Sequence, residues 1–329
     1  MSYQERGTKI SVRALTDGAL MAALAALLGI VGIYLPVLGI VTNLVWTLPI
    51  ILLIMRHDLK MGIMGLTVTG MIISILTGPI QAILFLVNMG GIALVYGYCF
   101  KKGLSSLKAL LIGTVIAAVS TAATVFLSAF VANLPITQWI GEIKLAIDEG
   151  FQIYEKMGVM ENILPEGVSP EEYKEQLFSL INTLLPGAFI AASMGIALVN
   201  YLIARTFLKR LKYEIPDMPM FRDWHLPWQI VWGVILGLGL LISGNYFENE
   251  YLRLVGQNIL YIYYPVLLVS GISFLVYMWK NNYLTSFMRV IIIMSVFLFG
   301  QFFFMMLLLI GLFDPLFDYR RFFRDKKVS

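Results

Sequence analysis

Charged residues are scarce in this sequence. Asp, Glu, Lys and Arg make up 13% of its 329 residues, whereas a soluble globular domain carries about 25%. Hydrophobic residues account for 59%, and the mean hydropathy is +0.82. This composition excludes an ordinary water-soluble domain and predicts a protein that crosses a membrane several times. The net charge of +4 is small and dispersed, so we expect no nucleic-acid partner.

The sequence also has few of the residues that metal sites and covalent catalysis need. Its one cysteine, Cys99, has apolar and aromatic neighbours, which indicates packing and excludes a disulfide framework. The histidines, His57 and His225, lie in separate polar segments, so we predict no metal site and no cofactor. The motifs GxxxxGKS/T, HExxH and GxSxG are absent. We therefore predict that the chain is not an enzyme.

Long apolar runs fill most of the sequence. A helix needs about 20 apolar residues to cross the hydrocarbon core of a bilayer. The pattern predicts an all-α, polytopic transmembrane helical bundle with eight or nine membrane helices. The runs cover residues 14–34, 38–55, 61–76, 80–100, 109–131, a stretch ending near 208, 228–246, 254–279 and 290–313.

Basic residues predict the orientation of the chain. Arg6, Lys9 and Arg13 precede the first run, which indicates a cytoplasmic N-terminus in a multi-pass protein of the cell membrane. Basic clusters after the second, fourth, sixth and eighth runs also fall inside. Nine full spans would place the basic and aromatic tail 314–329 outside, although such a segment suits the anionic cytoplasmic surface. We expect the tail inside, with one of the last three runs failing to cross, and the run 228–246 is the weakest.

An acidic segment separates the fifth and sixth runs. Residues 132–183 hold nine Asp or Glu against three Lys, and apolar residues at helical spacing predict an amphipathic helix over 137–157. Two interpretations stay open. The segment is a solvated cap on the bundle, or it is a lid over a binding cavity.

The first run carries small residues at four-residue spacing, which places each set on one helix face. Such a face lets another helix approach closely, either within the chain's own bundle or from a separate subunit. The candidate docking face consists of Gly18, Ala19, Ala22, Ala23 and Ala26.

Polar residues within apolar segments are the candidates for substrate binding, because an amide in hydrocarbon needs a partner. We select Asn43, Asn88 and the aromatic Trp139 of the amphipathic helix. Asn88 stands out because Gly90 and Gly91 beside it could leave room for a ligand. The alternative for each amide is a hydrogen bond between helices.

Two resemblances follow from these residues. The repeats Ala19–Ala23 and Ala22–Ala26, the apolar hairpins and the turn Gly78-Pro79 resemble the substrate-binding S-components of energy-coupling-factor vitamin transporters. That resemblance implies a first domain, 1–210, with six helices, whose alanine face docks onto a transmembrane coupling subunit while the ATPases are separate chains. A second domain, 211–329, would form a C-terminal membrane half.

The full chain resembles the YybS family of Gram-positive bacterial membrane proteins. The residues that carry this resemblance are Gly311-Leu312-Phe313-Asp314 and Phe317-Asp318-Tyr319-Arg320. Three additional C-terminal runs and the acidic segment depart from the compact S-component plan.

Two functions are compatible with these features. The chain binds or transports a small molecule or lipid together with partner subunits, or it is a non-transporting membrane scaffold or envelope-assembly partner. The expected partners are membrane lipid, a coupling or scaffold subunit at the first helix, and a small-molecule ligand. A polar cavity between helices would favour the first function.

Overall fold

The computed structural model describes residues 11–133, 136–165 and 167–328, and in these ranges the regular structure is helical throughout. The first helices are α1 (Val12–Tyr34), α2 (Pro36–Val45), α3 (Thr47–Arg56), α4 (Leu59–Thr77), α5 (Pro79–Lys101) and α6 (Ser106–Ala132). The middle of the chain forms α7 (Ile136–Lys156), α8 (Met160–Ile163) and α9 (Pro170–Arg210). After a short 3-10 turn at Phe221–Asp223 follow α10 (Ile230–Tyr246), α11 (Glu250–Lys280), α12 (Ser286–Leu298), α13 (Gly300–Phe317) and α14 (Tyr319–Val328).

Seven helices in the described ranges are long and apolar enough to cross a membrane, namely α1, α4, α5, α6, α9, α11 and α13. The prediction of eight or nine membrane helices counted apolar runs that the structure divides or shortens. The run 38–55 is split at Trp46 into α2 and α3, and Pro49 explains the split because its ring nitrogen cannot donate to the preceding turn. The run 290–313 is split at Phe299, whose φ of −133° is not helical.

The chain forms two compact units, which are described separately. The first unit contains residues 1–139 and 192–217, and the second contains 140–191 and 218–329. Helix α9 therefore contributes its C-terminal part to the first unit and its N-terminal part to the second. The predicted division at residue 210 differs from this arrangement, because most of the acidic segment 132–183 groups with the C-terminal helices.

The core of the first unit surrounds α3. Ile50, Leu53 and Ile54 are completely buried, as expected for a helix that is apolar on every side. Glycines on two neighbouring helices allow this packing, since a Cβ at Gly62 of α4 or at Gly97 of α5 would overlap the side chain of Ile54. Close contact between membrane helices commonly depends on such small residues.

Hydrogen bonds from buried polar side chains attach α9 to the rest of the first unit. The Tyr96 hydroxyl donates to the carbonyl of Ala197 at 2.6 Å. Thr47 donates to the side-chain oxygen of Asn200 at 3.2 Å, and Tyr201 donates to Ser106 at 2.9 Å. Each donor thereby satisfies a polar group that hydrocarbon could not.

In the second unit, glycines determine how α10, α11 and α13 pack. Helices α10 and α11 are antiparallel, with Gly237 against Ile259 and Gly244 against Arg253. Helices α11 and α13 cross where a Cβ on Gly271 or on Gly311 would strike the backbone of the other helix. At the crossing of α11 and α13 the two backbones therefore meet directly.

Helices α11 and α13 run in the same direction. Their crossing joins residues 267–271 to 307–311, and farther along both helices Phe274 meets Tyr319 and Tyr283 meets Phe323. The tail consequently lies at the same end of the second unit as the C-terminus of α11. Between them, α12 returns the chain to the level at which α13 begins, and its 13 residues rise about 20 Å, less than the 30 Å of a full hydrocarbon core. The ninth run is thus interrupted at Phe299. The seventh run, which was predicted as the weakest, forms the 17-residue helix α10, which is also not among the seven long helices.

Candidate functional site

A buried ion pair lies at the tail end of the second unit. The Arg320 Nε is 2.9 Å from the Asp314 Oδ2, and the side chains of Arg320 and Asp314 are only 11% and 2% exposed. Asp314 is near the end of α13, and Asp318 ends that helix in a left-handed conformation with φ 45°. After this turn, Arg320 near the start of α14 reaches the carboxylate.

Arg320 also connects the tail to the segment before α10. Its guanidinium donates to the carbonyls of Arg222 at 2.6 Å and Trp224 at 2.8 Å, and to the Ser273 hydroxyl at 3.2 Å. It lies over the ring of Tyr277, 5.6 Å from the ring centroid. The rigid, planar fork of arginine suits several simultaneous acceptors, which lysine could not contact in one plane.

A cavity of about 690 Å³ opens beside this pair, within the range of small-molecule sites. Its lining combines charged and aromatic side chains from the segment before α10, the end of α11, the end of α13 and the tail. The lining residues are Arg222, Asp223, His225, Leu226, Pro227, Trp228, Tyr277, Asn281, Tyr283, Asp314, Pro315, Asp318, Arg320 and Arg321.

One polar atom of the cavity wall is unsatisfied. Asp314 Oδ1 is buried and accepts no hydrogen bond from the described residues, whereas its Oδ2 is bound by Arg320. A buried carboxylate oxygen without a donor is energetically costly. Because Asp314 is among the residues that line the cavity, a ligand that displaces the atoms enclosing this oxygen could supply the missing donor.

The described residues offer no group of three His, Cys, Asp or Glu side chains arranged to hold a metal ion. The histidine of the cavity, His225, has its Nδ1 3.0 Å from the carbonyl of Asp223. The arrangement is suited to recognising a polar ligand by charge, hydrogen bonds and aromatic contact.

The predicted docking face of α1 divides into two parts. Gly18, Ala22 and Ala26 are buried within the first unit, where the hydroxyl of Thr69 on α4 donates to the carbonyl of Ala22. Ala19 and Ala23 are exposed. A separate subunit could therefore contact Ala19 and Ala23, while the other three small residues serve the chain's own packing.

Asn43 and Asn88, two of the predicted substrate-binding residues, do not line this cavity. Asn43 and Asn88 are half-buried in α2 and α5 of the first unit. The space beside Asn88 is taken by neighbouring helices, since a Cβ on Gly90 would meet Leu66 and one on Gly91 would meet Ser120. The side chain of Trp139 lies outside the described part of the structure.

The sequence contained a signal for the cavity that the prediction did not use. An acidic residue at the end of an apolar run is a candidate functional group by itself, and Asp314 directly follows the run 290–313. The tail was noted for its basic and aromatic residues but was assigned to the membrane surface. The pairing of Asp314 with Arg320 follows only from the turn at Asp318.

Comparison with known proteins agrees with a membrane protein. Residues 23–315 match the family described as "Predicted membrane protein (DUF2232)". The "Uncharacterized protein YybS" of Bacillus subtilis (strain 168) is 25% identical over 284 residues, which cover 82% of this chain and 86% of the relative. No solved structure matches the chain. The predicted resemblance to YybS is thereby confirmed, and that to the S-components stays a prediction. The chain belongs to the DUF2232 family of predicted membrane proteins.

Proposed function

We propose that this membrane protein binds a small polar molecule or a lipid headgroup in the cavity at the tail end of its second unit. The observation that carries the proposal is the unsatisfied Asp314 Oδ1 in the wall of a cavity of about 690 Å³. A membrane protein retains buried charged groups at a cost, and they commonly mark ligand sites.

The cavity belongs to the cytoplasmic side of the membrane in this proposal. The segment before α10 and the C-terminus of α11 both line it, and both adjoin basic residues. Arg210 and Lys212 precede the segment, Lys280 is the last residue of α11, and Arg289 follows it. The positive-inside rule assigns such residues to the cytoplasm. Because α11 and α13 run in the same direction, the tail lies inside as well.

Mass spectrometry of the intact protein, purified in mild detergent, tests the proposal. We expect a bound small molecule or lipid in the native protein, and its loss when Leu226→Trp fills the cavity. Leu236→Trp is the matched control, because Leu236 is 56% exposed on α10 and is not part of the cavity lining. Equal ligand retention by both variants would contradict the proposal.

A second function, a scaffold that docks a partner helix, is favoured by one observation. Ala19 and Ala23 leave a shallow exposed strip on α1, beside the exposed Leu15 and Leu27. A photo-crosslinking amino acid at position 23 should join a defined membrane protein, and one at the exposed Leu111 of α6 should not. If neither position or both positions crosslink equally, the strip is not a docking surface.

Transport of the ligand is a separate proposal. It requires that ligand added outside appears inside proteoliposomes that contain this chain and its partner subunit. Binding without such uptake would assign the chain to sensing or scaffolding.

A further inference from the structure

The cavity has a charge pattern that specifies its ligand more closely. Its lining includes three carboxylates, Asp223, Asp314 and Asp318, and three guanidinium groups, Arg222, Arg320 and Arg321. Their formal charges cancel, so the cavity as a whole attracts neither a simple anion nor a simple cation. A ligand that carries both signs can use both sets of side chains.

The unsatisfied oxygen of Asp314 requires a hydrogen-bond donor. Asp314 is 2% exposed, and its other oxygen is already bound by Arg320 at 2.9 Å. Charge-assisted hydrogen bonds to a carboxylate are about twice as strong as neutral ones. A primary ammonium group would satisfy this oxygen best, because it combines three N–H donors with a positive charge.

The aromatic walls favour the same group. The rings of Tyr277 and Tyr283 are stacked with their centroids 5.9 Å apart, and Trp228 lines the cavity beside them. The guanidinium of Arg320 already lies over Tyr277 at 5.6 Å. Aromatic faces attract cations. The ring of Tyr277 already has Arg320 over it and Tyr283 stacked on it, so the aromatic face that an ammonium group can use is that of Trp228.

The arginines supply the complementary half of the site. The Arg222 Nε is 3.7 Å from Asp223 Oδ2, a long contact between partly exposed side chains. Arg321 is exposed at the start of α14. Guanidinium groups bind phosphate oxygens with two parallel hydrogen bonds, which makes a phosphate the fitting anion.

We propose that the cavity binds a phosphoethanolamine group, with Asp314 accepting from the ammonium and Arg222 and Arg321 binding the phosphate. The inference rests on the proposed function. This chemistry is shared by a phosphatidylethanolamine headgroup and by free phosphoethanolamine. Trp228 and the two tyrosines lie near helix ends, where aromatic residues meet lipid headgroups.

The test uses the full chain in detergent micelles with three lipids of equal chain length. We expect phosphatidylethanolamine to be retained about tenfold better than phosphatidylglycerol, which lacks an ammonium group, as one charge-assisted hydrogen bond would give. Phosphatidylcholine should also bind more weakly, because its trimethylammonium group has no N–H donor. Competition by free phosphoethanolamine at equal concentration would indicate a soluble ligand, and failure to compete would indicate the lipid.

Variants separate recognition from folding. Arg321→Gln, at an exposed position, should lower retention of phosphatidylethanolamine without unfolding the protein, and Asp314→Asn should abolish the preference over phosphatidylglycerol. Asp217→Asn is the control, because the Asp217 side chain is 97% exposed and lies in the first unit. Should Asp314→Asn fail to fold, the lipid series on the native chain decides alone.

The outcomes distinguish this inference from the broader proposal. Equal retention of phosphatidylglycerol and phosphatidylethanolamine, with loss of both in Leu226→Trp, refutes the ammonium assignment and leaves the binding cavity standing. Absence of any bound ligand in the native chain refutes both.

Discussion

The proline inside α9 allows a quantitative test of how the second unit is held together. Pro186 lies inside this helix, and a proline there disrupts the hydrogen bonds of the preceding turn. Asn258 of α11 replaces the bond that would have joined Gly187 to Thr183. Its Oδ1 accepts from the Gly187 N–H at 2.6 Å, and its Nδ2 donates to the Thr183 carbonyl at 2.8 Å.

Replacing Asn258 with the similarly sized leucine removes both bonds. Asn258 is 8% exposed, so the Gly187 N–H and the Thr183 carbonyl lose their partners in a site with little access to water. Each unsatisfied group costs about 1–3 kcal/mol, although hydrogen bonds between membrane helices average only about 0.6 kcal/mol. We expect Asn258→Leu to lower the free energy of unfolding by about 2 kcal/mol.

Asn258→Leu should lower the free energy of unfolding by less when position 186 is not proline. In Pro186→Ala the helix can close, and the Gly187 N–H can donate to the Thr183 carbonyl directly. We expect the penalty of Asn258→Leu to fall below about 1 kcal/mol in this background, a coupling typical of residues in contact. Reversible unfolding of the purified protein in mixed micelles, followed by circular dichroism, measures all four members of the cycle.

Gln257→Leu provides the control, since this amide lies one position away on α11 and takes no part in the junction with α9. The reasoning is refuted if Asn258→Leu lowers the free energy of unfolding by the same amount in the Pro186→Ala background as in the native chain. In that case the asparagine would stabilise α11 alone, through its bond to the Leu254 carbonyl at 2.8 Å.

Three further predictions follow from the packing. Gly311→Leu should destabilise the second unit by about 2 kcal/mol or more through overpacking, because its Cβ would strike the α11 backbone. In the control Gly239→Leu the Cβ meets open space, so this variant should have little effect on the melting temperature. Ala22→Trp should prevent folding, since Ala22 is completely buried. Ala23→Trp, at an exposed position, should give the native yield of folded protein and lose only a docked partner. Equal yields of folded protein from both variants would contradict the placement of α1. A tag after Ser329 should resist protease added outside intact cells, and cleavage there would show that the tail is not cytoplasmic.

The class of the protein could be predicted from the sequence because hydrocarbon leaves the backbone few choices. A long apolar segment in a bilayer must satisfy its own N–H and C=O groups, and a helix does so locally. The helix boundaries follow similar local rules, with Pro36 and Pro79 at helix starts and the Asp58 side chain accepting from the Met61 N–H at the start of α4. These features need no information about distant residues.

The candidate site could not be predicted in this way, because its parts are distant in sequence. Arg320 donates to a carbonyl 98 residues earlier in the chain. The junction between α9 and α11, outside this site, is also long-range, since Asn258 accepts from Gly187, 71 residues away. The four-residue spacing of α1 singled out five small residues, of which Gly18, Ala22 and Ala26 are buried. Spacing by itself could not tell that Ala22 faces α4 while Ala23 faces outward.

What the sequence determined by itself was therefore the chain's membrane character, most of its helices and the abundance of small residues that bring helices together. The tertiary structure alone decided that α13 runs alongside α11 in the same direction, that α13 ends in a left-handed turn at Asp318, and that Asp314 and Arg320 meet beside a cavity. The physical reason is the range of the interactions. Hydrophobicity and backbone hydrogen bonding act within a turn or two of helix, whereas the pairing of buried charges depends on which backbones the glycines of α11 and α13 allow to touch.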